Sequence, residues 1–507
     1  MKFKSTLSLI VAMLPMACFS ADYFVKPAAV GDADGSSWDN AMSFEKFYTR
    51  LNTSTDGFAD GDAFYFAGGN YIIPSVSVVT PTAKGYTLIG GYNPSLTGTE
   101  KTIPTDFDTY RTVFSGDRNG DGIPNGGDAR CIFAFQLNTA HHAGTRHLRI
   151  QGIDFCCVYT EDATNENGNR KGALCIDNSG DVEIKNCRFY KNVLAKGGSA
   201  IGGAALLNYR STIHVSDCEF TENKAVARGA AIRVTSNANT KGNLILERCL
   251  IANNEVTEGT GSAICVQNAS EIDIVNCTIT GNKAASNGAV FVNGATNDYP
   301  NEVVNIVCST IAGNECGAEI QFNTGAPRLN VLNSIIAPVG GKTAIVIGVS
   351  TENTRYNIVS GGYNIIGAFK NSVTTDATFP AHDTDSQDAN NIVAAVFASL
   401  NVVDGVLAPL DATAAGASMT TLSTAVGEMS LKENVDVTVD QQGTVRTDNM
   451  MPGAYGKIAT TSGISIVQQA MAVNSRHSSI FDLQGRKVVD MEKGIYIVNG
   501  KKVFVSR

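Results

Sequence analysis

Short stretches in which apolar and polar residues alternate recur along the middle of the chain. One motif, apolar-x-apolar-x-x-Cys-x-apolar-x-x-Asn, ends in turn at Asn192, Asn223, Asn254 and Asn282. A further copy ends at Asn314, and Ser309 takes its cysteine position. Alternation with a period of two is typical of half-buried strands, and Asn and Gly are typical of the turns between them. The motif therefore predicts strands that return once in roughly thirty residues.

A second apolar segment follows each copy of the motif and opens with glycine and a small residue, as at 229–234 and 261–266. Two or three such short strands cannot bury their inner faces alone, but coils stacked in parallel about 4.8 Å apart can. A propeller blade needs about 40–45 residues and four strands, which exceeds this period. We therefore predict an all-β fold, a right-handed parallel β-helix with a small C-terminal β module. The clearest repeats span 148–339.

Stacking would place equivalent residues of successive coils in vertical files. We predict two structural ladders, an inward one of cysteines and one of asparagines at a turn. Their members are Cys187, Cys218, Cys249 and Cys277, and Asn192, Asn223, Asn254, Asn282 and Asn314. Asparagine suits such a turn because it tolerates left-handed backbone conformations, and its amide can bond to the same group one coil away. Cysteine packs as a small buried hydrophobe. Disulfides elsewhere, such as Cys156 or Cys157 with Cys175, are the alternative use of cysteine.

The N-terminus has the features of an export signal. Lys2 and Lys4 precede an apolar stretch, Leu7 to Met16, that is too short to span a bilayer, and small residues follow. We predict a signal peptide over 1–20 and no transmembrane segment in the mature chain. Lipidation of Cys18 is an alternative that the sequence leaves open.

Composition narrows the partners. The 507 residues carry a net charge of −9, and no basic stripe is present, so we exclude nucleic acid. Hydrophobic residues make up 43% of the chain, which is ample for a core.

The repeats resemble two known classes. The segments 220–232 and 279–290 carry a rhythm of apolar-x-x-Asn followed by Gly and Ala that is similar to polymorphic outer-membrane-protein repeats and to the wider pectin-lyase-like β-helix class. Upstream, 23–41 resembles the opening coils of exported β-helix proteins of Bacteroidota. Downstream, 440–446 and 452–456 resemble the choice-of-anchor β-helix family. That family typically has Arg where Gln442 stands, so this copy is divergent.

The last segment, 479–507, resembles a type IX secretion sorting domain and follows a polar linker at 459–478. The resemblance implies a β-helix over 21–458 and a C-terminal segment that the secretion machinery recognises. It also implies an extracellular location or one at the cell surface or outer membrane. A terminal capping hairpin is the alternative, because the segment contains two alternating strands separated by a glycine turn.

The segment 117–128 has oxygen-bearing residues at the spacing of a calcium loop. Asp117, Asn119, Asp121, the Ile123 carbonyl, Asn125 and Asp128 fall at positions 1, 3, 5, 7, 9 and 12 of the segment. It resembles the loops of EF-hands and dockerins, although strands and not helices flank it. We predict a structural Ca²⁺ site there. An acidic turn without a bound ion is the alternative.

No catalytic cluster emerges from the sequence, so we assign no catalytic residue. The outward positions of the first strand and the residues next to it hold a mixed set that we interpret as a solvated face: Glu183, Lys185, Arg188, His214, Glu219, Glu247, Asp273 and Asn305. Glu183 and Glu219 could meet the spacing of a glycosidase pair, but so could many surface pairs. We therefore favour a non-enzymatic adhesin or a protein that binds a glycan or a host surface. The alternatives are a polysaccharide lyase or glycoside hydrolase, and a structural cell-envelope protein.

Overall fold

The structure is a computed structural model that describes most of residues 20–505. The ranges outside the description are 52–56, 76–83, 137–145, 162–171, 178–180, 197–201, 237–241, 269–270, 294–302, 325–327, 339–341, 349–356, 372–378, 387–400, 404–405, 409–415, 430, 432–434, 449–451, 456–479, 483–486, 489–493 and 499–500. The predicted linker and all but the last residue of the predicted signal peptide lie outside the described residues, so both stay predictions.

Each central coil contains four short strands, which belong to four parallel sheets that we name A, B, D and C in chain order. In one coil they are Asp181–Lys185, Arg188–Tyr190, Val193–Leu194 and Leu206–Tyr209. Each strand pairs in parallel with its equivalent in the next coil; Phe189, for example, lies beside Phe220. The predicted parallel β-helix is thus confirmed. The sequence motif holds two strands and not one, because a bend divides it.

Sheets A and B form the first two faces of the coil. Sheet A contains, in spatial order, Met42–Ser43, Asp22–Lys26, Ala63–Ala67, Thr87–Tyr92, His147–Gln151, Asp181–Lys185, Thr212–Ser216, Asn243–Glu247, Glu271–Val275, Val303–Val307, Arg328–Leu332 and Asn357–Gly362. Sheet B contains Gly69–Ile72, Thr112–Ser115, Ile153–Cys156, Arg188–Tyr190, Glu219–Thr221, Leu250–Ala252, Thr278–Thr280, Thr310–Ala312, Ile335–Ala337 and Ile365–Ile366.

Sheets D and C complete the coil. Sheet D contains Tyr159–Thr160, Val193–Leu194, Lys224–Ala225, Glu255–Val256 and Lys283–Ala284. Sheet C contains Phe133–Gln136, Leu174–Asp177, Leu206–Tyr209, Ile232–Thr235, Ile264–Gln267, Gly288–Asn293, Ala318–Thr324, Thr343–Ile347 and Phe369–Asn371. The glycine-led segments of the sequence thus supply the central strands of sheet C.

Two left-handed bends turn the chain in each coil. The first lies between sheets A and B and is occupied by Asn186, Asp217 and Arg248, with φ of 52°, 53° and 51°. The second immediately precedes each ladder asparagine, as at Lys191 and Glu222, with φ of 54° and 58°. The prediction that the ladder asparagines themselves suit a left-handed turn is therefore wrong. The residue before each of them takes that conformation, which leaves the asparagine side chain pointing inward.

The asparagine ladder runs through the interior as a continuous hydrogen-bond chain. The Nδ2 of each member donates to the Oδ1 of the next at 2.9 Å, from Asn192 through Asn223, Asn254 and Asn282 to Asn314. The same Nδ2 groups also donate to backbone carbonyls of the preceding coil, at 2.9–3.1 Å. Asn314 then donates to Glu319, which stands where Ala289 stands one coil earlier. Each amide is thus satisfied without water.

The cysteines of the motif lie one per coil and point into the core. Cys187, Cys218, Cys249 and Cys277 are at most 1% exposed. The backbone N–H of Cys187 donates to the thiol of Cys218, and that of Cys249 to the thiol of Cys277, both at 3.3 Å. Ser309 continues the file, because its hydroxyl accepts from the N–H of Cys277 at 3.1 Å. The eleven cysteines of the described chain are all buried and none is in a disulfide, so the alternative Cys156/Cys157–Cys175 bond is not formed.

The core between the sheets is closed at its N-terminal end by a helix. Stacked rings of Phe155, Phe189 and Phe220, 4.9 and 4.7 Å apart, fill three successive coils. The helix Phe44–Leu51 buries Phe44, Phe47, Tyr48 and Leu51, which share one face at the spacing of an amphipathic helix. This face covers the first coils, whose apolar ends would otherwise be open to water.

The chain beyond the coils returns to the outside of the β-helix. A hairpin of Asn401–Val403 and Val406–Ala408 is followed by the helix Met419–Glu428, and four antiparallel strands end the chain: Ile480–Asp482, Lys487–Val488, Gly494–Val498 and Lys501–Val505. Between them lies a segment, residues 435–448 with 452–455, that we name the strap. No helix in the described part of the chain combines the length and apolarity needed to cross a bilayer.

Candidate functional site

A groove lined by charged side chains follows the first bend of the coils. It encloses about 320 Å³ and is lined by Thr105, Asp106, Phe107, Asp108, Arg111, Asn186, Cys187, Arg188, Asp217 and Glu219. We name it the charged groove. Its floor is built from two coils, because Asn186 and Asp217 occupy the left-handed bend and Arg188 and Glu219 begin the sheet B strands that follow. Side chains at the bend project outward, where charge remains in contact with water.

One wall of the charged groove is the loop that precedes Arg111. The loop is fastened by Phe107, which is 9% exposed and packs on Gly91 and Gly152. A Cβ at Gly152 would lie 2.1 Å from the Phe107 ring, so only glycine admits this contact. Asp106 then accepts the N–H of Asp108 at 2.8 Å, which sets the turn. The result is that Asp106 and Asp108 stand over the bend of the coils.

Arg188 is the central cation of the charged groove. Its Nη2 donates to Asp108 at 2.7 Å, and its Nε lies 3.5 Å from a carboxylate oxygen of Glu219. The side chains of Arg188 and Glu219 remain 35% and 45% exposed. A ligand in the groove would therefore meet both charges directly.

Deeper in the groove, Arg111 pairs with the buried Asp154, and its Nε donates to that carboxylate at 3.0 Å. Burial lowers the pKa of Arg111, and the positive charge of Arg188 lowers it further. Arg111 thus forms a structural ion pair, whereas the side chain of Arg188 remains partly exposed to solvent.

The strap lies beyond one end of the charged groove, next to Arg248. Arg248 binds Asp217 through two hydrogen bonds, of 2.6 and 3.1 Å, at the edge of the groove. The pKa of Arg248 is raised, because Asp217 and Glu247 outweigh the opposing effect of burial. Gln441 of the strap donates to the carbonyl of Cys249, the residue that follows Arg248, at 3.1 Å. A bound chain would therefore reach a barrier next to Arg248.

The strap itself is held by buried polar contacts. Arg446 is 4% exposed and donates to the side chain of Asn276 at 3.0 Å and to the Gly453 carbonyl at 2.9 Å. The N–H of Ala454 donates to the Thr310 hydroxyl at 3.0 Å. The segments that resemble the choice-of-anchor family, 440–446 and 452–456, therefore supply the contacts that dock the strap on the coils.

Several outward positions of sheet A are not a solvated face, contrary to the sequence interpretation. Glu247 is 6% exposed, Asp273 0% and Asn305 1%. Asn305 donates to Asp273 at 2.7 Å, and Glu247 lies 3.2 Å from His214. The C-terminal part of the chain packs on the same face, where Leu422 and Val437 contact Val275 and Val307. This cover could not be anticipated from alternation within a strand.

The predicted calcium loop is closed by its own hydrogen bonds. Asp117 accepts the N–H groups of Gly120 and Gly122, both at 2.8 Å, and Asp121 accepts that of Ile123 at 2.8 Å. Asn119 accepts the N–H of Asp121 at 2.9 Å.

Asp128 is 1% exposed and accepts the N–H groups of Arg118 and Asn125. The side-chain oxygens of the loop thus accept hydrogen bonds from the loop's own backbone N–H groups. Three His, Cys, Asp or Glu side chains grouped as metal ligands do not occur within the described residues. The calcium site stays a prediction.

Four charged residues of the charged groove were not predicted from the sequence: Asp106, Asp108, Arg111 and Asp217. The first three precede the clear repeats, and Asp217 occupies a bend that the motif does not mark. A usable signal was the charged stretch 106–111, which carries two carboxylates and an arginine around Phe107 between apolar strands.

Known proteins place the chain among β-helices. The family model for the right-handed β-helix region matches residues 111–297. No curated protein matches the sequence. Among solved structures, a rhamnogalacturonan lyase is similar at 13% identity, over 77% of this chain and 95% of that chain, with a TM-score of 0.31. The family model and the parallel pairing of successive coils together show that the coils are those of a right-handed parallel β-helix.

Proposed function

We propose that this protein is a secreted or surface-exposed β-helix protein that binds a charged extracellular glycan in the charged groove without converting it. One observation carries the proposal. Three carboxylates of the groove are held as ion-pair partners of arginine: Asp108 and Glu219 by Arg188, and Asp217 by Arg248. A glycan with charged substituents and hydroxyls can exchange for such pairs one contact at a time.

Catalysis requires a different arrangement of carboxylates from the ion pairs of this groove. Glycoside hydrolysis needs a carboxylic acid that holds a proton and a second carboxylate about 5–10 Å away. A carboxylate bound by a guanidinium serves as a charge partner and gives no proton to a leaving group. Asp217, which Arg248 binds through two hydrogen bonds, illustrates this.

The test is a glycan array probed with the mature full chain, followed by titration of the strongest charged glycan. We expect Arg188→Ala to weaken binding by about tenfold or more, since a hydrogen bond to a charged group contributes about 1.5–3 kcal/mol. Lys224→Ala is the matched control, because Lys224 is on a neighbouring coil and pairs with Glu255 outside the groove. Equal binding by both variants would refute the assignment to this groove.

A polysaccharide lyase or glycoside hydrolase is the second candidate. The observation in its favour is that Asp217 and Glu219 line one groove, two positions apart in the chain. Reducing-end and unsaturated-uronate assays on the array hits decide it. Turnover that disappears in Glu219→Gln would replace the binding proposal with an enzymatic one. Variants of Asp273 do not test this candidate, because the side chain is fully buried.

Export and the role of the C-terminal module belong to the same proposal. We propose that the last four strands act as a sorting segment recognised by secretion machinery, and that loop 117–128 holds a structural Ca²⁺. Cell fractionation with and without residues 479–507 tests the first statement. We expect the shortened chain to stay inside the cell envelope; its appearance at the surface would leave the module a mere terminal cap.

A further inference from the structure

A second groove lies on a different flank, between sheets D and C. It encloses about 460 Å³, and its lining includes Arg228, Glu258, Thr260, Asn287, Asn293 and Asn323. We name it the amide groove. It is larger than the charged groove and lies in the range of volumes typical of small-molecule sites. Nothing in the proposed function uses it.

Two amide side chains of this groove, those of Asn287 and Asn323, are each held by a hydrogen bond and keep one further hydrogen-bonding atom unused within the described chain. Asn287 accepts from Gln321 at 3.1 Å through Oδ1, and within the described chain its Nδ2 makes no hydrogen bond. Asn323 donates to Asn293 at 2.9 Å through Nδ2, which leaves its own Oδ1 without a donor among the described residues. One donor and one acceptor are thus held in place by bonds made through the other end of the same amide.

Thr260 gives an independent indication of a ligand. Its hydroxyl oxygen is buried and has no hydrogen-bond partner among the residues that the structure describes. A buried hydroxyl without a partner costs about 1–3 kcal/mol of desolvation, so such groups are rare unless something else satisfies them. Thr260, the residue that carries this hydroxyl, is one of those that line the amide groove. A polar ligand there would supply the missing bond.

The charges of the amide groove point to an uncharged ligand. Arg228 and Glu258, one of each sign, stand at its rim on neighbouring coils, and the other lining residues are neutral. Phe291, 5% exposed, gives an apolar floor. Sugar hydroxyls donate and accept at once, as do amides and hydroxyls, whereas a polyanion would find a single cation here.

We propose that the amide groove is a second glycan-binding site, specific for a neutral saccharide and independent of the charged groove. The saccharide bonds to the Nδ2 of Asn287, the Oδ1 of Asn323 and the hydroxyl of Thr260, and its apolar face rests on the floor at Phe291. The two grooves share one coil, 212–235, but no lining residue.

The experiment uses the mature full chain and the neutral glycans of an array, with titration of the strongest hit. Thr260→Val keeps the shape of the side chain and removes its hydroxyl, and Asn323→Ala removes one amide. Loss of a single neutral hydrogen bond should weaken binding about 3- to 10-fold in each variant. Thermal melting of Thr260→Val should be unchanged or higher, since the hydroxyl has no partner in the described chain. Arg188→Ala, in the charged groove, should leave neutral-glycan binding unchanged.

Each other outcome overturns the proposal. Failure of every neutral glycan to bind at millimolar concentration would do so, even if charged glycans bind as proposed above. Binding that neither variant weakens would place the saccharide elsewhere. A lower melting temperature in both variants that parallels weaker binding would show that these groups serve the fold. Loss of neutral-glycan binding in Arg188→Ala would show that charged and neutral glycans bind at one site and not at two.

Discussion

The charged groove and the amide groove lie on the same stack of coils but are built from different parts of it. The charged groove follows the bend between sheets A and B, where one left-handed residue per coil projects outward, as at Asn186 and Asp217. The amide groove follows the connection between sheets D and C, which is longer and differs from coil to coil. The charged groove also has a wall from outside the repeats, the loop fastened by Phe107, and the strap lies beyond one of its ends.

The difference shows where such a solenoid leaves room for function. Inward files, such as Phe155, Phe189 and Phe220, repeat because each must fill the same space at the same height. Outward positions need not fill a fixed space, so charged side chains can lie on one flank and amide side chains on another. Four predictions test or sharpen this contrast, beginning with a change that should damage both grooves together.

Asn223→Ala should have the largest effect, because Asn223 lies in the coil that both grooves share. The change removes its bonds to Asn254 and to the Phe189 carbonyl, each 2.9 Å, and those it accepts from Asn192. Leaving these buried groups unsatisfied should cost about 4 kcal/mol. Denaturant unfolding measures the loss. Lys224→Ala, the adjacent exposed residue, should cost less than about 1 kcal/mol, and equal losses would contradict the ladder's role.

Glu319 should make stability depend on pH on the amide-groove side of the molecule. Burial raises the pKa of Glu319 from 4.5 to about 8, although hydrogen bonds from Asn314 and the charge of Lys342 oppose this. A carboxyl whose pKa is raised in the folded state holds its proton longer there than in the unfolded chain. Its contribution is therefore complete below pH 4.5 and is lost as the pH rises toward 8.

The free energy of unfolding should therefore fall steadily as the pH rises between these limits. Unfolding measured from pH 4.5 to 8 checks it, with Glu319→Gln as the matched variant. The variant should flatten the profile in this window. An identical slope in both proteins would show that other groups control it.

Added salt should weaken glycan binding in the charged groove more than in the amide groove. Raising NaCl from about 50 to 500 mM shortens the Debye length severalfold, which weakens contacts between exposed charges. We expect charged-glycan binding to fall about tenfold and neutral-glycan binding to change less than about twofold. Isothermal titration at the two salt concentrations measures both. Equal salt sensitivity would mean that the grooves do not differ as their linings indicate.

Calcium should have the smallest effect and should leave both grooves unchanged. If loop 117–128 binds with a dissociation constant of about 10⁻⁴ M, as extracellular modules do, 1 mM Ca²⁺ adds about 1.4 kcal/mol. Thermal melting with Ca²⁺ and with EGTA should differ by roughly 1–2 °C, and Asp117→Asn should abolish the difference. Identical melting curves for the wild-type chain would favour the acidic turn without an ion.

Much of the fold was predictable from the sequence, because the repeating residues are those that the stack constrains. The spacing of the cysteine and asparagine positions predicted the number of residues in each coil and the parallel stacking of the coils. The charged groove was not predictable, since Asp108 binds Arg188 across about eighty residues without any repeated motif. The burial of Asp273 was also missed, because a strand pattern does not show that a C-terminal segment will pack on the outer face of the sheet.

The proposal that the charged groove is the glycan site is tested most directly by hydrogen exchange of the mature chain with and without its strongest charged glycan. We predict slower exchange at 105–111, at 186–188 and at 217–219, and unchanged exchange along sheet C. Protection confined to other segments, or none at these three while the glycan is bound, would contradict the account.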